Sequence, residues 1–211
     1  MKIHRFVFSP ISVNTYTLAA ENGDCAVIDC GCYDDTEFAR LISFFEENRY
    51  TPVMLLNTHC HLDHIFGNGR MLERFGLKTL ACAREEENLR SATAHAMLFG
   101  LDMDTPPDIG EYIEDGQIID FMGVTLEAIY VPGHTAGSIA WYCREENSVF
   151  TGDALFAGGI GRSDLPGGNF DQLINNIKTR LLILPPETIV FPGHGESSTI
   201  GREKSGNTWL S

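Results

Sequence analysis

The stretch Thr58-His59-Cys60-His61-Leu62-Asp63-His64 places three imidazoles and one carboxylate directly after the apolar run 53–57. Neutral imidazole nitrogen and carboxylate oxygen are ligands that suit Zn²⁺ and related first-row divalent ions. A fold without a bound ligand has no reason to crowd three histidine rings into one short loop. The stretch therefore predicts a metal site at the junction between a strand and the helix that follows it.

Three more candidate ligands follow apolar, strand-like runs further along the chain. They are His134 in Pro132-Gly133-His134-Thr135, Asp153 after Ser148-Val149-Phe150-Thr151-Gly152, and His194 in Phe191-Pro192-Gly193-His194. Side chains at strand ends are held rigidly, so several strand ends together can build one site. The other two histidines, His4 and His95, lack this context and are interpreted as ordinary surface or core residues.

The order and spacing of these residues resemble the metallo-β-lactamase superfamily over nearly the whole chain. The motif is His59-x-His61-x-Asp63-His64, followed by His134, Asp153 and His194. Within the superfamily the chain is most similar to single-domain glyoxalase II-like hydrolases, in Asn57-Thr58-His59, Gly133-His134-Thr135-Ala136-Gly137-Ser138, Thr151-Gly152-Asp153 and Pro192-Gly193-His194-Gly195. The resemblance implies an α+β fold, the αββα sandwich of two facing sheets covered by helices.

The resemblance also implies that two divalent metal ions share the candidate ligands. His59, His61 and His134 would bind one ion, Asp63, His64 and His194 would bind the other, and Asp153 would bridge them. Zinc is the expected metal, with iron or manganese as alternatives. Two such ions can activate a bridging hydroxide and polarise a substrate carbonyl. Asp63 is the expected catalytic residue, because it could orient that hydroxide and accept its proton.

The expected reaction is hydrolysis of a small-molecule thioester such as S-lactoylglutathione. A thiol has a reference pKa of about 8.5, so a thiolate leaves with little help from a general acid. An amide leaves as a stronger base, so peptidase or lactamase activity is disfavoured. Full-length glyoxalase II has a helical carboxy-terminal domain that helps to bind glutathione, whereas seventeen residues follow His194 here. Broad thiol specificity is the expectation.

Arg162, in Gly161-Arg162-Ser163-Asp164, is the candidate substrate-binding residue. It occupies the place of a basic substrate contact in the glyoxalase II-like pattern. The alternative for Arg162 is a structural salt bridge with a nearby carboxylate such as Asp164.

Other reactions and roles remain open at this stage. A mononuclear iron persulfide dioxygenase resembles the chain in Asn57-Thr58-His59-Cys60-His61 and in Gly161-Arg162-Ser163-Asp164. Such an enzyme would bind one iron through His59, His134 and Asp153. Lactone hydrolysis is a further alternative. A non-catalytic binding protein is disfavoured, because all seven ligand positions are filled.

Composition limits the partners. The chain of 211 residues predicts one domain over residues 1–211, and its formal net charge of −14 with a pI near 4.8 disfavours nucleic acid. It shows no signal segment and no run long enough for a membrane span, so a cytoplasmic protein without membrane contact is expected. The six cysteines are scattered and predict no disulfide framework, and Cys60 is expected to pack beneath the metal loop.

Periodicity predicts the elements that carry the motifs. Strands are expected at 3–8, 14–20, 25–30, 53–57 and 80–83, and again at 117–121, 125–130, 138–143, 148–151 and 188–191. Helices are expected at 36–48, 85–99 and 170–182. A single helix is expected over 65–75, with Gly76 ending it. Residues 100–110 are expected to form an irregular loop.

Overall fold

The computed structural model describes all 211 residues, which form two compact units, Met1–Tyr112 and Ile113–Ser211. Each unit contains a mixed six-stranded sheet, and the second adds a two-stranded one. The prediction of one domain over 1–211 stays a prediction.

The sheet of the first unit joins an antiparallel half to a parallel half. Its strands are β1 (Lys2–Phe8), β2 (Val13–Ala19), β3 (Asp24–Ile28), β4 (Thr51–Leu56), β5 (Thr79–Ala81) and β6 (Glu111–Tyr112), and they lie in chain order. Strands β1 to β3 pair antiparallel, and β3 to β6 pair parallel. The β2–β3 turn contains Gly23 with φ 94°, a conformation that glycine adopts readily.

The helices of the first unit are α1 (Asp35–Asn48), α2 (Leu62–Ile65), α3 (Asn68–Phe75) and α4 (Glu86–Leu98). Helix α1 begins after Asp34, whose side chain accepts a hydrogen bond from the Glu37 amide, and it buries Leu41 and Phe45. These two side chains pack in one core cluster with Phe8 and Leu55 of the sheet. Burial of Leu41 and Phe45 on one face of α1 packs the helix against the sheet.

The prediction of a single helix over 65–75 is wrong in one respect, because a break at residues 66–67 divides it into two helices. Helix α2 begins at Leu62 and ends at Ile65, and α3 begins at Asn68. The break lies where the Gly67 amide donates to the Cys30 carbonyl, 2.8 Å away. A Cβ at position 67 would lie 2.4 Å from the Cys30 sulfur, so the close approach requires glycine. This contact joins residues distant in sequence, and helical periodicity does not report it. Gly76, with φ 71°, ends α3 as predicted.

The second unit carries its candidate ligands on loops after strands. Its strands are β7 (Ile118–Phe121), β8 (Val124–Tyr130), β9 (Ile139–Cys143), β10 (Ser148–Gly152), β11 (Leu155–Phe156), β12 (Gly159–Ile160), β13 (Ile189–Pro192) and β14 (Ser198–Thr199). The large sheet has the order β14-β13-β10-β9-β8-β7, and β11 pairs with β12. Because β10 and β13 are parallel neighbours, the residues after them lie at one edge of the sheet.

Two helices complete the second unit, α5 (Phe170–Asn176) and α6 (Ile200–Gly206). A π-helical turn, Ile177–Leu181, continues α5, so the helix predicted over 170–182 is present with a change of winding. Its buried residues Leu173, Ile177 and Leu181 pack in one cluster with Val149 and Val190 of the sheet.

All six cysteines are buried free thiols. None of the helices has both the length and the apolar character that a membrane crossing requires.

Candidate metal centre

The first unit brings four of the predicted ligands together after β4. The ring centroid of His59 lies 4.8 Å from that of His61 and 4.0 Å from that of His64. Asp63 Oδ2 lies 3.7 Å from His64 Nε2. The predicted loop is partly wrong, because Asp63 and His64 lie on α2. His59, Asp63 and His64 are buried, so their donor atoms are held within the fold.

The second unit brings together the other three predicted ligands. Asp153 follows β10, and its Oδ2 lies 3.7 Å from Nε2 of His134 and 3.7 Å from Nε2 of His194. The side chain of His134 is 3% exposed and that of Asp153 is 14% exposed, whereas His194 reaches 26%. One carboxylate oxygen thus faces two imidazole nitrogens, an arrangement that suits a shared ligand.

Asp29, which sequence reasoning missed, organises the histidines of the first unit. It follows β3, is 2% exposed, and accepts four hydrogen bonds. Its Oδ1 accepts from the Thr58 amide at 2.7 Å and from Asn57 Nδ2 at 3.1 Å. Its Oδ2 accepts from Thr58 Oγ1 at 2.7 Å and from His64 Nδ1 at 2.9 Å. Asp29 also has φ 54°, a strained backbone of the kind found at functional sites.

These bonds decide which nitrogen of each ring can bind metal. The Thr58 hydroxyl donates to Asp29, so its oxygen accepts from His59 Nδ1 at 3.1 Å. His64 Nδ1 likewise carries the proton that Asp29 accepts. In the second unit His134 Nδ1 faces the carbonyl oxygen of Arg162 at 2.7 Å and therefore donates. In all three rings the Nε2 lone pair is left as the ligating atom.

The Arg162 side chain makes the salt bridge that the sequence allowed as its alternative role. Its Nε and Nη2 donate to the two carboxylate oxygens of Asp164, each at 2.8 Å. The guanidinium lowers the pKa of Asp164 to about 2, so the pair stays charged at ordinary pH. The side chains are 55% and 69% exposed, so solvent screens the pair. Substrate binding by Arg162 stays a prediction.

Cys60, inside the histidine cluster, is held by the fold and is a poor metal ligand. Its backbone amide donates to Glu85 Oε2 at 2.8 Å, and its side chain packs with Leu62, Ile65 and Leu89. Burial raises the pKa of the Cys60 thiol well above its usual range. Cys60 also belongs to none of the groups of side chains that lie close enough together to hold a metal ion. The prediction that Cys60 packs beneath the ligands is confirmed.

The chemistry of the donor set fits divalent metal ions. The seven predicted ligands offer imidazole nitrogen and carboxylate oxygen, the mixture that zinc, iron and manganese accept. The hydrogen bonds to Nδ1 orient the rings before any metal binds. His4 and His95 belong to none of the groups of side chains that could hold a metal.

A cavity of about 560 Å³ in the first unit lies against α2, which carries Asp63 and His64. Its apolar wall includes Ile65, Phe66 and Tyr33. Its rim is acidic, with the carboxylates Asp34, Asp35, Glu73, Asp102 and Asp104, and its one cation, Arg70, pairs with Asp35 at 3.0 Å. Such a rim repels an anion.

Comparisons with known proteins identify the family of the chain. The profile of the Metallo-beta-lactamase superfamily matches residues 9–194. The hydroxyacylglutathione hydrolase GloC of Haemophilus influenzae is 37% identical over 194 residues, which cover 89% of this chain and 87% of that protein.

Solved structures extend the likeness to the fold. The BLEG-1 B3 metallo-beta-lactamase matches with a TM-score of 0.91 and 30% identity over the full length of both chains. TTHA1623 in a di-iron-bound form matches with a TM-score of 0.88 and 33% identity, covering 98% of this chain and 100% of that one. ETHE1 from Myxococcus xanthus matches with a TM-score of 0.80 and 27% identity, covering 99% and 84%. The predicted α+β fold class, the αββα sandwich, is confirmed.

Proposed function

The chain belongs to the metallo-beta-lactamase superfamily of metal-dependent hydrolases, and on that basis we propose that it hydrolyses thioesters with two bound metal ions. S-lactoylglutathione represents the substrate class. The likeness to a hydroxyacylglutathione hydrolase supports this choice. The six buried free thiols support a reducing compartment, and we propose the cytoplasm.

The observation that carries the proposal is the set of oriented donors. His59, His64 and His134 each use Nδ1 in a hydrogen bond and keep Nε2 for a metal. We propose the division of ligands that the superfamily resemblance implies: His59, His61 and His134 for one ion, Asp63, His64 and His194 for the other, and Asp153 shared by both. Likeness to a di-iron-bound structure supports a count of two, and zinc, iron and manganese all suit the donors.

The residues of the chain would position the reaction. Two divalent ions, when bound, would supply an activated water and polarise the substrate carbonyl. Asp63, 8% exposed and next to the histidines, accepts the proton of the attacking water. The thiolate then leaves without protonation, so the chemistry needs no further acid. The buried carboxylate of Asp29 keeps His64 and, through Thr58, His59 in the required tautomer.

Two assays on the purified, metal-loaded protein test the proposal. We expect hydrolysis of S-lactoylglutathione, measured as the appearance of free thiol. We expect no oxygen uptake with glutathione persulfide. Oxygen consumption that depends on the persulfide, without thioester hydrolysis, would replace the hydrolase with the dioxygenase alternative. A lactone in the same panel tests lactonase activity.

The dioxygenase is the second candidate because of one comparison. The likeness to ETHE1 covers nearly the whole of this chain and supports the alternative in part. It would need one iron bound by His59, His134 and Asp153. The other four donors, His61, Asp63, His64 and His194, would then have no metal to bind, and this favours the hydrolase.

Replacing Arg162 by alanine is expected to raise the KM for S-lactoylglutathione by about fivefold, and to leave the KM for a neutral thioester unchanged. The effect is small because the guanidinium is exposed and already forms an ion pair with Asp164. Steady-state kinetics on both substrates measure it, with the exposed Arg144→Ala as the matched control. Equal changes for both substrates would exclude recognition of charge by Arg162.

A further inference from the structure

Two large aromatic side chains stand exposed side by side in the second unit. Phe170, the first residue of α5, is 47% exposed, and Trp209, beyond α6, is 55% exposed. Their ring centroids lie 6.4 Å apart, with the rings edge to face. Exposed apolar side chains that occur singly need no explanation, whereas two exposed aromatic rings in contact form a surface that can bind an apolar group.

Phe170 is tied to the loop that carries His134. The amide of Asn169, one residue earlier, donates to the Gly133 carbonyl at 2.8 Å. Gly133 has φ 138°, and a Cβ there would lie 2.4 Å from backbone atoms of Leu173. Helix α5 therefore packs directly against the backbone next to His134, and Phe170 follows the residue that makes this contact.

Trp209 is tied to the hairpin beside His194. Its amide donates to Asn207 Oδ1, and Asn207 Nδ2 donates to the Gly159 carbonyl at 3.0 Å. Gly159 begins β12, which pairs with β11, where the Phe156 ring lies 6.3 Å from the His194 ring. These hydrogen bonds anchor the backbone around Trp209, whose exposed ring contacts that of Phe170.

We propose that Phe170 and Trp209 form an aromatic platform that binds an apolar group of the thioester substrate. This inference rests on the proposed thioester hydrolysis and names its preferred substrates: thioesters with an alkyl or aryl group. Rigid aromatic faces bind such groups with little loss of conformational freedom. An anionic substrate finds less support, because Arg162 already pairs with Asp164 and the net charge is −14.

The kinetic test compares acetyl and hexanoyl thioesters of one small neutral thiol, and acetyl thioesters of a small and a hexyl thiol. In one of these two pairs we expect the wild type to hydrolyse the longer substrate better than the shorter one. Phe170→Ala and Trp209→Ala should each reduce that preference by at least about fivefold. Ile183→Ala is the matched control, because Ile183 is 71% exposed in the same unit and its loss should change nothing. The pair that shows the effect tells whether the acyl or the thiol side binds.

A binding measurement separates failure of the platform from failure of the proposed function. Trp209 is the exposed one of two tryptophans, since Trp141 is fully buried. A non-hydrolysable hexyl thioether should change tryptophan fluorescence saturably in the wild type, and not in Trp209→Phe, with weaker binding in Phe170→Ala. Saturable binding without thioester hydrolysis would refute the proposed function and keep the platform.

Two kinds of result would overturn the platform. One is kinetic, either an unchanged chain-length preference in both variants or an equal loss of that preference in Ile183→Ala. The other is a Trp209 fluorescence spectrum that shifts with protein concentration and not with the thioether, which would identify the pair as a contact between copies of the chain.

Discussion

Replacing Asp153 by asparagine is expected to lower kcat for thioester hydrolysis by about a thousandfold, the largest effect that we anticipate for one substitution. Asp153 Oδ2 faces Nε2 of His134 and of His194 at the same distance, 3.7 Å. We propose that this carboxylate is shared by both metal ions. An amide has no negative charge to share, so both the metal content and the rate should fall.

Steady-state kinetics and elemental analysis of Asp153→Asn measure the two effects on one preparation. The control is Asp120→Asn, an exposed carboxylate whose Oδ1 accepts from the Gly123 amide, a bond that asparagine keeps. A kcat within about tenfold of wild type would exclude the shared-ligand role.

Replacing Asp29 by alanine is expected to lower the free energy of unfolding by about 3 kcal/mol, because buried donors lose their acceptor. Asp29 accepts from the Thr58 amide, the Thr58 hydroxyl, Asn57 and His64. Metal affinity should fall about 10- to 100-fold as well, since His59 and His64 lose the bonds that orient them.

Urea unfolding of metal-loaded and chelator-treated protein separates these two effects. The control is Asp35→Ala. The Asp35 side chain is 96% exposed and forms an ion pair with Arg70, so its loss should lower the free energy of unfolding by less than about 1 kcal/mol. Equal stability of Asp29→Ala and wild type after chelation would show that Asp29 acts through the metal alone.

Sequence reasoning identified the candidate ligands because short local motifs carry them. His59, His61, Asp63 and His64 share one short stretch, and His134, Asp153 and His194 each follow an apolar run that does form a strand or leads directly from one. The glyoxalase II-like resemblance supplied the pairing of ligands with ions. The long strands and α1 were predicted to within a few residues, because burial of one face produces their periodicity.

The features that sequence reasoning missed depend on contacts between distant residues. Asp29 receives bonds from residues 28 to 35 positions away. The local sequence around Asp29 shows only that a carboxylate follows the apolar run of β3. The break between α2 and α3 depends on Cys30 meeting Gly67, and the platform depends on Phe170 meeting Trp209.

Helix α6 was also missed, although Thr199 caps it by accepting from the Arg202 amide. Gly201 and Gly206 weaken the helical pattern, and the helix is stabilised instead by buried Glu203. That carboxylate accepts from the Gly158 amide at 2.8 Å and from Asn207 Nδ2 at 2.9 Å. Tertiary bonds of this kind override weak propensity.

The metal content of the purified protein tests the central claim most directly. Elemental analysis, referred to protein concentration by amino-acid analysis, should give two divalent ions per chain, and removal of both by a chelator should abolish thioester hydrolysis until zinc, iron or manganese is restored. One tightly bound iron per chain, with full activity at that content, would contradict the account.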